Sequence, residues 1–394
     1  MTNISSSGKK ILILVMSICL LGSFIIVGIC QEEANKASSD ELPKKYIIEG
    51  VPYVPMYEYW STCAMSSLEM ALEYYGYDYS IMTLMNLGWQ YGATLVENEA
   101  GPVLMPGAEQ PITGILYAAE TLGFSTKEIN NQTKEEAWET LKTQISGDRP
   151  VIIQWTRHTV LAVGYDENGE KAEVIYHNPA PPKGLLGSYM GVKKVRVKAN
   201  PGSYVRMKKD KWFGEKYWVN ANSYPAKRFE MILLEPPSDK KSIDWKSVLQ
   251  RNAAKTLGQE DWSSYPPYVW YSVDAFKRAA EKVESGGWSR EELNSLFSAS
   301  GWGPASRSHA AAFLSGLGQS SGIDRLKEAA RWFERSGYYW QEARDTWNYV
   351  KEKPEIGKVS NYRKVISGAL RKVALAEERA GKALAEAGEK FKTF

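Results

Sequence analysis

The stretch that most constrains this chain runs from Pro150, followed by VIIQWTRHTVLAVGYDENGEKAEVIYHNPAP. Val151 to Trp155 is an unbroken apolar run of the kind found in strands buried on both faces. His158 to Tyr165 and Ala172 to Asn178 read as two further strands. Asp166 to Glu170, with Asn168-Gly169 inside it, is the turn between them. A turn centred near Asn168 pairs residues equidistant from it, so His158 lies opposite Asn178, give or take one residue. Strand alternation puts Tyr176 and Asn178 on one face and His177 on the other. An imidazole and a side-chain amide are thereby made neighbours. An amide oxygen beside a ring N–H sets the tautomer and orientation of a base.

A base needs a nucleophile, and the chain offers one thiol in its folded body. In VPYVPMYEYWSTCAMSSLEMALEYYG, Val51 to Gly76, an extended Val-Pro-Tyr-Val-Pro run leads through an aromatic segment to Cys63. Met65, Leu68, Leu72 and Tyr75 recur at the spacing of one helical face, and Gly76 is a natural stop. Cys63 therefore falls in the first helical turn. Unpaired N–H groups and the positive end of the helix dipole there favour a thiolate, the nucleophilic form. A lone helical Cys also occurs as a small buried hydrophobe. Tyr53, Tyr57, Tyr59 and Trp60 fit a substrate wall and core packing equally. Spacing alone does not bring Cys63 to His158.

Forty-nine basic against 46 acidic residues leave a net charge of +3 in 394 residues. No basic block is interleaved with aromatics, which argues against nucleic acid as a partner. Cys19 and Cys30 lie in or beside an apolar N-terminal run, so there is no disulfide framework. The histidines are His158, His177 and His309. None has zinc-ligand spacing, and neither a metal nor a cofactor is expected. His177 and His309 read as structural or surface residues. Asn131-Gln132-Thr133 is a glycosylation sequon, usable only where the host glycosylates secreted proteins.

Lys9 and Lys10 precede an uncharged run, Ile11 to Ile29, about as long as a bilayer-spanning helix. No small-residue cleavage site follows it, and the lysines favour a cytoplasmic N-terminus. The expectation is an uncleaved signal anchor over 1–30, which places the body outside the cell membrane on a single span. A lipoprotein signal cut before Cys30 is the alternative. The polar segment 31–45 reads as a linker.

Residues 46–237 read as one domain, ended by Pro236-Pro237. Gly88 to Gln110 reads as a loop region. Ile112 to Leu122 and Thr133 to Ile145 read as helices, and Phe229 to Leu234 as a closing strand. From 238 to 394 the period becomes helical. The segments are Asp244 to Leu257, Val269 to Val283, Arg290 to Phe297, Ser306 to Leu317, Asp324 to Ser336, Trp340 to Val350 and Lys358 to Glu389.

The Cys63 stretch and the His158–Asn178 stretch together resemble the peptidase C39-like branch of the papain-fold cysteine peptidases. In that family a Cys at a helix start, a His opening a strand and an Asp or Asn ending the next strand form the site. The matching residues are Cys63, His158 and Asn178. The resemblance implies an α+β domain, with a Cys-bearing helix packed on a small antiparallel sheet, followed here by an all-α domain. It implies acyl transfer from a peptide or acyl substrate, without metal. Two departures stand out: Met56 where the family has an amide that holds the oxyanion, and Ala64 where Gly is common. Asp244-Trp245, Arg251-Asn252-Ala253, Ser306-Arg307 and Ala312-Phe313-Leu314 are similar to the helical domain of butirosin biosynthesis protein H and its relatives, which adds a thiol acyltransferase reading. A catalytically inactive binding module is the third. No feature sets the oligomeric state.

Overall fold

The structure, a computed structural model, describes residues 42–56, 62–89, 92–98, 101–106, 111–130, 132–155, 158–180, 205–209, 230–259, 269–298, 303–353 and 361–391. The expected anchor, the linker up to residue 41, Tyr57, Tyr59, Trp60 and Asn131 lie outside them. No helix among the described residues is long and apolar enough to cross a membrane.

The strands β1 (Lys45–Ile47), β4 (Ser125–Ile129), β5 (Val151–Trp155), β6 (His158–Asp166), β7 (Glu173–His177), β8 (Val205–Lys208) and β9 (Glu230–Glu235) form one antiparallel sheet. Its order is β4-β9-β5-β6-β7-β8, with β1 also paired to β6. The second half of β6 is thus flanked by β1 and β7, and its first half by β5. Seven successive residues of β6, Thr159 to Tyr165, are buried. That two-sided burial is why this strand is apolar almost throughout. Gly164 is required where β1 crosses, because a Cβ there would sit 2.8 Å from the Tyr46 carbonyl oxygen.

The β6–β7 register differs from the simple expectation. Leu161 faces His177 and Ala162 faces Tyr176, after which a bulge shifts the pairing to Gly164 with Ile175. Extending the pairing puts Asn178 opposite Val160, so Asn178 is a diagonal neighbour of His158 on the same face. The turn is longer than one centred on Asn168 and the bulge absorbs a residue. A two-residue offset preserves the face, which is why the amide and the imidazole still meet.

Helix α1 (Cys63–Tyr74) packs on β6 and β5, with α2 (Ile81–Leu87) and α3 (Pro111–Thr121) beside it. The spacing of Met65, Leu68, Leu72 and Tyr75 predicts a single apolar face. Instead, Cys63 to Leu72 is buried throughout, including Ser66, Ser67 and Glu69. A helix covered on every side is a central helix, and α2 and α3 cover the side away from the sheet. Burial of Met65, Leu68 and Leu72 stabilises its seat by about 1.5–3 kcal/mol each. Helix α4 (Lys134–Ser146) starts with a reciprocal capping box between Thr133 and Glu136.

The stretch read as a loop is mostly a hairpin, β2 (Ala93–Asn98) and β3 (Gly101–Pro106). Strand β10 (Val269–Tyr271) extends it to a three-stranded sheet. The helical period read from Val269 thus begins only after β10, with α6 (Ser272–Glu284). The remaining helices are α5 (Trp245–Leu257), α7 (Arg290–Ser298), α8 (Gly303–Ser321), α9 (Asp324–Glu352) and α10 (Asn361–Lys390). Helix α9 joins two segments read as separate. Gly337 does not break it but lets α8 approach, since a Cβ there would lie 3.0 Å from the Pro304 carbonyl oxygen.

Lys44 to Phe394 forms one compact unit, and several contacts bridge the expected domains 46–237 and 238–394. Ala93, Leu95 and Leu104 of the hairpin share a core with Phe276, Trp340, Trp347 and Leu370. Asn252 on α5 donates to the Asn86 carbonyl at 2.8 Å, and Arg251 to the Leu87 carbonyl. Arg307, fully buried on α8, pairs with Glu377 on α10 at 2.6 Å and donates to the Gly92 carbonyl at 3.3 Å.

Candidate active site

Cys63 is the first residue of α1 and is 5% exposed. His158 opens β6 and is partly buried, and Asn178 is the first residue beyond β7. The three converge. His158 is hydrogen-bonded to Cys63 on one side, and its Nε2 lies 2.7 Å from Asn178 Oδ1 on the other.

What joins helix to hairpin is the extended lead-in. Ile48 donates from its backbone to the Val163 carbonyl at 2.8 Å. The Val51 carbonyl lies 3.3 Å from the buried His177 Nε2, whose N–H it accepts. Tyr53 Oη donates to the Asn178 carbonyl at 2.9 Å, and the Met56 N–H to the Pro179 carbonyl at 2.8 Å. Prolines at 52 and 55 hold this run extended, because the ring removes an N–H and disfavours helix in the residue before it. The run therefore lies along the end of β7 and delivers the chain to α1 beside the His158 ring.

The hydrogen bonds assign the His158 tautomer. Asn178 Oδ1 also accepts the Ala180 N–H at 3.0 Å, which identifies that atom as the oxygen. His158 Nε2 must then carry the hydrogen it donates to Asn178. Nδ1 is the nitrogen left to take a proton from the thiol.

Burial pushes the Cys63 thiol up, but the hydrogen bond and charge of His158, then the N–H and hydroxyl of Thr159, outweigh it and hold it below the ordinary thiol value. Burial pushes His158 down, and the bond to Cys63, its charge and Asn178 more than reverse that. Each group favours the charged form of the other, so the two protonations are coupled. The first turn of α1 adds the positive end of the helix dipole.

An acyl substrate attacked by Cys63 develops an oxyanion that needs donors. Met56 supplies none: its thioether is not a donor and its N–H is committed to Pro179. The Cys63 N–H lies in the first helical turn, where backbone N–H groups have no intrahelical acceptor. Among the described residues no cluster of His, Cys, Asp or Glu is disposed to hold a metal ion.

His177 lies away from this group, buried and bonded to Val51, with the Tyr53 ring 5.8 Å from its own. His309 is half-buried on α8. Sequence reasoning missed two polar residues. The buried Thr159 hydroxyl donates to Gln154 Oε1 at 2.6 Å, directly across the strand pair from it. Their signal was present in the pattern: each is the polar residue within an apolar strand, and they are equidistant from the turn between β5 and β6.

Residues 48–210 match the profile of the Peptidase_C39 like family. No curated protein matches the chain. The family match carries Cys63, His158 and Asn178 within it and stops before the helical half. It does not extend to the resemblance expected between that half and butirosin biosynthesis protein H relatives.

Proposed function

We propose, taking as premise that residues 48–210 form a Peptidase_C39 like domain, that this chain is a cysteine-dependent acyl-transfer enzyme. Cys63 Sγ attacks an acyl carbon of a peptide or related substrate. Its proton passes to His158 Nδ1, which returns it to the leaving amine. Asn178 keeps His158 turned, and the Cys63 N–H holds the oxyanion. Water then releases the acyl group, giving a peptidase. An amine acceptor in place of water gives a transferase. The carrying observation is the Cys63–His158–Asn178 chain of hydrogen bonds, at the start of a helix and the ends of two paired strands. Ile11 to Ile29 would anchor this body at the outer face of the cell membrane.

The test is labelling and turnover. The protein, incubated with an electrophilic thiol probe and a peptide library, takes up probe at Cys63 and cleaves peptide. Cys63→Ala does neither. Full cleavage by Cys63→Ala overturns the proposal. The specific observation favouring a binding module instead is Met56, which leaves the oxyanion short of a donor. Tight peptide binding without turnover, unchanged in Cys63→Ala, would establish that reading.

A further inference from the structure

We infer that Tyr53 is a positioning residue for the proposed reaction: its hydroxyl fixes the strand-end peptide that aims the Asn178 amide at His158. The inference rests on the proposed Cys63–His158–Asn178 chemistry and adds to it a residue that acts through Asn178.

Asn178 stands where the sheet no longer holds it. The pairing of β7 with β6 ends at His177, and that with β8 at Tyr176. A carbonyl one step past the ladder needs a donor from elsewhere. The Tyr53 hydroxyl is that donor, at 2.9 Å, from a position 125 residues away in the chain.

The residues on either side of Asn178 are held by the same lead-in. The Val51 carbonyl accepts from His177 Nε2 at 3.3 Å, and the Met56 N–H donates to the Pro179 carbonyl at 2.8 Å. Both of those bonds use main-chain atoms of the lead-in, which most residue types would supply equally. The bond to Asn178 uses a side chain, so it is the part of the clamp that depends on residue type. The Tyr53 ring lies 5.8 Å from the His177 ring, a contact that directs the hydroxyl towards the strand end.

The amide itself has little freedom. Asn178 Oδ1 accepts the Ala180 N–H at 3.0 Å and lies 2.7 Å from His158 Nε2. The first bond ties the side chain to its own turn, so the amide moves with the peptide that carries it. A shifted peptide takes Oδ1 off the line of the Nε2–H, and a hydrogen bond weakens steeply as it bends. The ring of His158 is then free to turn away from Cys63.

The test is the rate of Cys63 alkylation by iodoacetamide at neutral pH in the full chain, which needs no substrate. It is read as a double-mutant cycle with Asn178→Ala, which removes the amide and keeps the carbonyl that Tyr53 binds. Tyr53→Phe removes the hydroxyl and keeps the ring beside His177. Alone, it should slow alkylation by about threefold to tenfold, the worth of one hydrogen bond. In the Asn178→Ala background it should slow it no further. On a cleavable peptide, Tyr53→Phe should lower kcat and leave KM unchanged. A Tyr53→Phe rate equal to the parent's overturns the inference and leaves the proposed function standing. So does a loss that persists in full beside Asn178→Ala, which is the mark of damage to the fold; urea melts of each variant locate that damage. An Asn178→Ala rate equal to the parent's overturns both.

Discussion

Asn178 positions the His158 ring through one 2.7 Å bond, while its own backbone is held by Tyr53. Asn178→Ala should lower kcat about 10- to 100-fold with little change in KM, since it frees the ring without touching substrate. Steady-state kinetics on a cleavable peptide measure it. Met56→Gln should raise kcat about tenfold or more by restoring an amide donor, short of the two to three orders an optimised donor is worth. Hydrolysis should rise with pH below the ordinary thiol value, as the Cys63–His158 pair forms. It should fall as His158 loses its proton, above the ordinary imidazole value. His177 behaves differently: burial pushes it down to about 4, against the upward pull of the Val51 carbonyl. The unfolded chain binds that proton more readily, so its contribution is complete above the unfolded imidazole value. It is lost as pH falls towards 4, by up to about 3 kcal/mol. Urea melts across that window check it, and His177→Phe should flatten the dependence.

At the scale of elements, the buried Arg307–Glu377 pair joins α8, α10 and the strand-entry residue Gly92. Ser336 adds a bond to Glu377 at 2.8 Å, and the Trp340 ring stacks on the guanidinium at 4.6 Å. Burial draws the Arg307 guanidinium down, while the charge of Glu377 and its hydrogen bond hold it up. Arg307→Ala should cost about 3–5 kcal/mol in urea unfolding, because it strands a buried carboxylate. Arg307→Met with Glu377→Leu should recover most of that. The continuous α9 and the strand β10 differ from the sequence expectation for two reasons. Ser336, Gly337, Tyr338 and Tyr339 are weak helix formers that packing carries through, whereas Val-Trp-Tyr at 269–271 favour a strand locally and are absorbed in the sequence reading by the helical period that follows.

For the whole molecule, the two halves share cores. Val248, Leu249, Ala253, Phe333 and Leu384 of the C-terminal half join the cluster built on the main sheet and α1. Residues 42–237 expressed alone should therefore lack cooperative unfolding, because the β2–β3 hairpin and α2 lose their cover. Near-ultraviolet dichroism and urea titration of that fragment against the full chain measure this. Independent folding of the fragment would show that the helical half only decorates it.

The local pattern of this sequence determined the Cys63 helix start, the strands β5, β6 and β7, and the shared face of His158 and Asn178, though not their register. Each depends on neighbours within one turn or one hairpin, where periodicity and turn chemistry act directly. Tertiary structure alone decided that Cys63 meets His158 and that a hairpin read as loop is core. These contacts join residues far apart in the chain. Their cost is loop-closure entropy and their gain is burial, and neither is written in any short window.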